Sequence, residues 1–288
     1  MMAKIGIIGG SGVYDIDGIK NKKREKLSTP FGDPSDEFML GELEGKEVVF
    51  LPRHGRSHSV LPSDLNYRAN IYGMKKLGVD RIISVSAVGS LKENLKPLDM
   101  VVPDQFVDRT NQARRSTFFG DGIVAHVSFA EPVCHQLSDV VYKAGKKCGA
   151  TIHKGGTYIN MEGPPFSTRA ESLLYRSWGM DIIGMTNMPE AKLAREAEIC
   201  FATLAMVTDY DCWFTRSKEQ VSVDVILNNL KKNSEMAKAI IKMIVSDMPE
   251  TKQCECGSSL RYAIVTPKEL IPPDVRKKLD IIVGKYLK

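Results

Sequence analysis

Two aspartates spaced i and i+2, Asp209 and Asp211, close the apolar run FATLAMVTDYDCW from Phe201 to Trp213. On a strand such a pair projects to one side, because successive side chains alternate faces. Two carboxylates there can accept from, or donate to, neighbouring nitrogens of a planar heterocycle. The same acids could equally begin a polar turn, and their spacing alone leaves both readings open. A second chemistry is suggested by oxyanion donors at strand ends. Arg53-His54-Gly55-Arg56 follows the apolar stretch EVVFLPR, with Arg53 offering a planar fork of donors and His54 a ring donor. The loop of KIGIIGGSG, Lys4 to Gly12, has backbone amides and Ser11 that could close around an anion. DRIISVSAVGSL, from Asp80 to Leu91, reaches small residues at Ser86, Ala87 and Gly89 that would let a ligand approach. Convergence of Ser11, the Arg53-His54 pair and Ser86 predicts a phosphate site.

The elements that must carry these groups alternate between strand and helix, the signature of an α/β fold. Phe201 onward reads as a strand buried on both faces, whose carboxyl end borders a crevice. A hairpin is expected from Glu37 to Pro52, turning at Glu44-Gly45, and a helix from Leu65 to Leu77 stopping at Gly78. Further strands are expected over Met100 to Phe106, Tyr158 to Glu162 and Asp181 to Met185, with helices over Glu131 to Gly149, Arg169 to Trp178, Pro189 to Glu198 and Ser222 to Val245. Lys20 to Lys26 reads as a solvated surface loop, and Asp274 to Leu287 as one last amphipathic helix after an irregular tail. The prolines of Gly163-Pro164-Pro165-Phe166-Ser167 exclude regular structure and place Phe166 where it could wall a planar base. No linker divides the chain, so one domain from 1 to 288 is expected, less diagnostic from about 248 onward.

With 288 residues, 43% hydrophobic and 26% charged, the composition is that of an ordinary globular protein. A net charge of +5, spread along the chain, suits a small anion and argues against a nucleic-acid partner. No apolar stretch approaches the roughly 20 residues a membrane helix needs, and MMAKIGIIGG lacks signal-peptide architecture, so a cytoplasmic location is expected. Cys134, Cys148, Cys200 and Cys212 are scattered, while Cys254-Glu255-Cys256 supplies too few ligands for zinc at the usual paired spacing. No metal is expected, and the thiols should be reduced. A dinucleotide-binding oxidoreductase is the rival suggested by the first loop, but GIIGGSG departs from the G-x-G-x-x-G spacing.

Taken in order, GIIGGSG, RHGR, SAVGSL, EGPPFSTRAES, MTNMPEAKLAREAEIC and TDYDCW resemble the methylthioadenosine phosphorylase branch of the trimeric purine nucleoside phosphorylase family. The resemblance implies a single-domain fold with a twisted central mixed β-sheet flanked by helices. It implies phosphate as co-substrate, no metal or organic cofactor, and a homotrimer or dimer of trimers. Phosphate would be held by Ser11, Arg53, His54, Ser86, Ala87 and Thr186. The ribose would lie against Met185, with Phe166, Ser167 and Ile183 around the base and Asp209 and Asp211 at the purine edge, Asp209 serving N7 and the amino group and Asp211 being the second acid. His126, from an adjacent subunit, and the Val221 to Leu227 helix with Val223 would border the 5′ substituent. Aspartate rather than asparagine at the base edge argues for adenine over a 6-oxopurine, and a phosphate-independent nucleosidase is the other rival. Gly184 stands where larger residues are frequent, implying a roomier pocket. The Cys-Glu-Cys stretch is similar to that of hyperthermophilic archaeal members, in which such cysteines form disulfides.

Overall fold

The computed structural model describes residues 4–288 apart from 11, 12, 14, 15, 112 and 215–222. Its strands are β1 (Ile5–Gly9), β2 (Lys20–Glu25), β3 (Phe38–Leu43), β4 (Lys46–Pro52), β5 (Arg81–Ser90), β6 (Met100–Val102), β7 (Gln105–Arg109), β8 (Ile152–Lys154), β9 (Thr157–Met161), β10 (Ile182–Gly184) and β11 (Cys200–Asp209). Its helices are α1 (Tyr67–Lys76), α2 (His135–Lys147), α3 (Arg169–Ser177), α4 (Asn187–Glu196), α5 (Val223–Asp247), α6 (Pro273–Lys278) and α7 (Asp280–Val283).

Local chemistry accounts for several boundaries. The β3–β4 hairpin turns on Glu44 and Gly45, both at positive φ (48° and 74°), the conformation that matches the twist of a two-residue hairpin. Asn66 caps α1 by accepting from the Ala69 amide at 3.1 Å, and Gly78, at φ 80°, takes the chain out of it.

All eleven strands join one mixed sheet, and β5 is its hub. It pairs in parallel with β1 on one edge and with β11 on the other, so all three are apolar on both faces. On the β1 edge, partners cover only Arg81 to Ser84; β10 then joins antiparallel at Gly89 and Ser90. The sheet forks there, leaving this edge of β5 between 85 and 88 without a strand partner among the described residues. Ala87 is exposed within an otherwise buried strand, which locates a crevice at the fork.

Helices cover both faces. Ile5, Ile7, Ile83, Val85, Leu204 and Met206 pack with α2 and α5, while Ile8, Ile82 and Phe201 pack with α1, α4 and the C-terminal helices. Three expectations need correction. The strand expected over Met100 to Phe106 is interrupted at Pro103 and Asp104, β6 pairing with β8 and β11 and β7 with β9. Lys20 to Lys26 is no loop: most of it is β2, an exposed edge strand paired only with β3, whose lysines discourage further strand addition. The terminal helix is broken at Leu279 into α6, α7 and a 3₁₀ turn over Gly284–Tyr286. Among the described residues no helix is long and apolar enough to cross a membrane.

Candidate active site

The acidic pair sits at the carboxyl end of β11. The strand stops at Asp209, so strict alternation does not place Asp211; instead Asp211 opens a 3₁₀ turn at φ 54°. Both acids nevertheless flank Gly89. A Cβ added there would lie 3.2 Å from Asp209 Oδ1, 3.4 Å from Asp211 Cβ and 3.1 Å from Ile183 Cγ2. The pair is wired together: the Asp211 amide donates to Asp209 Oδ1 at 2.8 Å, and the Thr208 hydroxyl donates to Asp209 Oδ2 at 2.7 Å. Ser172, from α3, donates to Asp211 Oδ2 at 2.6 Å. Burial raises both carboxyl groups above the usual carboxylate range, and the Asp211 charge adds to the rise at Asp209; the hydrogen bonds only oppose it. Such a group can hold a proton where an ordinary aspartate would have lost it.

At the fork the oxyanion donors take an arrangement different from the one expected. The Val85 carbonyl accepts from Arg53 Nη1 at 3.0 Å, and by strand alternation the Ala87 amide points to the same unpaired edge. Arg53 itself is 1% exposed and spent on internal partners. Its Nε donates to Glu190 Oε1 at 2.5 Å, and Nη2 to Glu190 Oε2 at 3.1 Å and Ser84 Oγ at 2.7 Å. One Nη1 hydrogen is left over among the described residues. His54 is corrected more sharply: its Nδ1 is 2.8 Å from the Val60 carbonyl and must carry the proton. Burial and the Arg53 charge lower its pKa to about 4, so the ring is neutral and its Nε2 is an acceptor. At this residue the backbone amide, without an acceptor among the described residues, is the group that can serve an anion.

Thr186 precedes α4 as its N-cap, yet its hydroxyl does not cap the helix. Beside it, the hydroxyl of the buried Tyr158 is 3.3 Å from Ser86 Oγ. Tyr158 also overturns the reading of Gly184: a Cβ there would sit 1.9 Å from the tyrosine oxygen, so the glycine makes room for Tyr158 rather than for substrate. Ser11 lies outside the described residues.

On the base side, Phe166 is 57% exposed on the loop that begins with the cis Gly163-Pro164 bond. Ser167 is buried, and its carbonyl accepts from Cys212 at 3.2 Å. Met185 packs against Gly163, and its carbonyl accepts from Arg114 Nη1. Arg114 also donates to the Glu162 carbonyl and, at 3.0 Å, to Glu162 Oε1, clamping both segments that flank the pocket. His126 is exposed, and its amide donates to the Ala263 carbonyl of the C-terminal segment at 2.8 Å. Val223 starts α5; the first part of the expected 221 to 227 helix lies outside the described residues. Tyr158, Glu190, Arg114 and Ser172 are contributors that residue spacing does not reveal, since each acts on a partner more than thirty positions away.

The family model described as the phosphorylase superfamily matches residues 4–246. The S-methyl-5′-thioadenosine phosphorylase of Geobacter sulfurreducens is 58% identical over 283 residues, covering 98% of this chain and 99% of that protein. Its counterpart from Koribacter versatilis is 57% identical over 286 residues, covering 99% and 97%. Among solved structures, a methylthioadenosine phosphorylase sourced from an antarctic soil metagenomic library superposes with a TM-score of 0.91 at 51% identity, covering 98% of this chain and 99% of that one. The Schistosoma mansoni methylthioadenosine phosphorylase in complex with adenine gives 0.80 at 32%, covering 98% of each chain. The chain belongs to the phosphorylase superfamily and, within it, to the S-methyl-5′-thioadenosine phosphorylases.

Proposed function

We propose that the chain catalyses the reversible phosphorolysis of 5′-methylthioadenosine to adenine and 5-methylthioribose 1-phosphate, a pentosyl transfer that serves purine and methionine salvage. The observation that carries this reading is the buried Asp209–Asp211 pair beside Gly89, at the end of the strand that runs along the forked β5. A phosphate oxygen forms a bond to C1′ as the C1′–N9 bond breaks, and the bonding pair leaves with the purine. Adenine is a poor leaving anion; Asp209, protonated, delivers a proton to N7 and so neutralises it. Asp211 accepts from the exocyclic amine and keeps Asp209 protonated through its charge.

Phosphate occupies the fork, held by the Ala87 and His54 amides, the Ser86 and Thr186 hydroxyls and Ser11. Its charge stabilises the cationic ribosyl ring in the transition state. Arg53, through Glu190 and the Val85 carbonyl, shapes that edge and offers one remaining N–H. Met185 and Ile183 border the sugar and base, and Phe166 and Ser167 close over the purine. Phosphate is a co-substrate, and the reaction as written needs no other cofactor.

The whole chain acts as one domain, since residues from 248 onward fill the same core as α1 and α4. It works as a homotrimer or dimer of trimers. Support comes from His126, exposed and flanked by the exposed apolar side chains of Val124, Tyr262 and Val265; a second apolar face is formed by Leu173, Leu174 and Trp178 on and beside α3. In this reading, His126 of one subunit borders the 5′ substituent in its neighbour's site. ³¹P NMR of a reaction containing methylthioadenosine and phosphate should show a sugar 1-phosphate resonance growing as inorganic phosphate falls. Free methylthioribose with constant phosphate would indicate hydrolysis and reject the proposal.

A further inference from the structure

Four cysteines far apart in sequence meet at the opposite end of the central strand. The sulfurs of Cys134, Cys200, Cys254 and Cys256 all lie within 4.8 Å of one another, with Cys200 and Cys254 at 3.4 Å. Three are buried and Cys254 is half-buried. Cys134 is the N-cap of α2, Cys200 is the first residue of β11, and Cys254 and Cys256 open the 3₁₀ turn Glu255–Ser258. Backbone contacts fix them: the Cys134 amide donates to the Phe201 carbonyl at 2.8 Å and the Cys200 amide to Asp80 at 3.1 Å. The Gln253 amide donates to Gln136 Oε1 at 2.9 Å, holding the tail against the first turn of α2.

We propose that Cys134, Cys200, Cys254 and Cys256 form a tetrahedral tetrathiolate site for a single thiophilic divalent ion of the zinc class, which fastens the C-terminal segment to the start of β11. With Zn–S bonds of about 2.3 Å, tetrahedral sulfurs stand about 3.8 Å apart, within the spacing found here. Four soft ligands select such an ion over magnesium or calcium. All positions are filled by protein, the pattern of a closed structural site. Asp209 is at the other end of the ten-residue β11, about 30 Å away at strand spacing, so the ion stands outside the phosphorolysis.

The surroundings suit a net negative tetrathiolate. Arg81, 3% exposed, lines one small cavity with Cys134 and Cys200 and donates to the Pro249 carbonyl at 2.9 Å. The positive end of α2 carries Cys134, with no acidic residue in its first turn. Binding forms four Sγ–metal bonds and sends the thiol protons to solvent, with no electron transferred. The usual paired spacing does not reveal such a site. Two ligands here come from C-x-C and two from distant elements.

The test is elemental analysis and thiol titration of the full chain purified under reducing, chelator-free conditions. A zinc-to-chain ratio near one is expected, with Cys148 and Cys212 reactive in the native protein and all six thiols reactive after denaturation with chelator. Metal-stripped, reduced protein given cobalt(II) should develop the intense absorption of a tetrahedral tetrathiolate. C254S/C256S should lose the ion and melt at lower temperature, yet retain turnover at moderate temperature. The wild-type measurements stand whether or not that variant folds. Reduced wild-type protein that binds neither zinc nor cobalt, or metal-free protein whose four cysteines are paired in disulfides that do not yield a metal site on reduction, would overturn the proposal.

Discussion

Asp209 has to hold a proton at a pH where an exposed aspartate would have lost it. Burial supplies that shift and the neighbouring Asp211 charge reinforces it. Because the protonated form does the work, turnover should fall as pH rises through the raised pKa. The same shift makes the folded state keep its proton longer than the unfolded chain, so this group's contribution to stability is full below the ordinary aspartate value and is lost as pH rises through the raised one. Asp209→Asn keeps the shape and removes the transferable proton, and kcat should drop by about 10²- to 10⁴-fold while the melting curve stays close to wild type. Wild-type turnover in that variant would remove Asp209 from its role. Arg53 makes a different prediction. Arg53→Ala strands Glu190, itself 1% exposed, and should cost about 3–5 kcal/mol in denaturant unfolding. Arg53→Met with Glu190→Leu should recover much of that loss, and a single variant as stable as wild type would contradict the pairing. The acids were legible in the sequence because an apolar run ends abruptly at them. Glu190 was not legible as the partner of Arg53, being 137 positions away, and the His54 tautomer depends on where the chain folds the Val60 carbonyl.

Among the elements, the fork of β5 organises the anion site. Residues 81 to 84 pair with β1 and residues 89 and 90 with β10, and the donors lie where neither strand reaches. Tyr158, from β9, holds this opening through the contact of its hydroxyl with Ser86 at 3.3 Å. Tyr158→Phe should raise the phosphate KM several-fold with kcat at saturating phosphate little changed; an unaltered phosphate saturation curve would exclude that positioning. Gly184→Ala must push Tyr158 aside, since its Cβ would fall 1.9 Å from the hydroxyl, and should cost about 1–3 kcal/mol as well as weakening phosphate binding. Apolar runs bounded by glycine and proline marked buried strands such as β1, β4, β5 and β11. β2 escaped because KNKKRE has no apolar alternation and owes its conformation to β3 alone. The fork was invisible for a related reason: strand order is set by contacts between distant segments.

Across the whole molecule, chemistry and fastening are divided between the two ends of β11. Its carboxyl end carries the acids, and its amino end meets α2 and the tail through the four cysteines. That tail, from 248, extends past the matched family region and buries Leu260, Ile271, Val275, Leu279, Ile282 and Val283 against α1 and α4. The sequence showed its amphipathic character but not its break at Leu279, where packing against α1 and α4 overrides continuous helical spacing. The cysteine cluster could not be read from spacing, because three separate elements supply it. The most direct check on the central claim is base release from methylthioadenosine, adenosine and inosine, each with and without phosphate. Phosphate-dependent adenine release, fastest from methylthioadenosine, is the expected result. Equal or faster cleavage of inosine, or release that ignores phosphate, would contradict it.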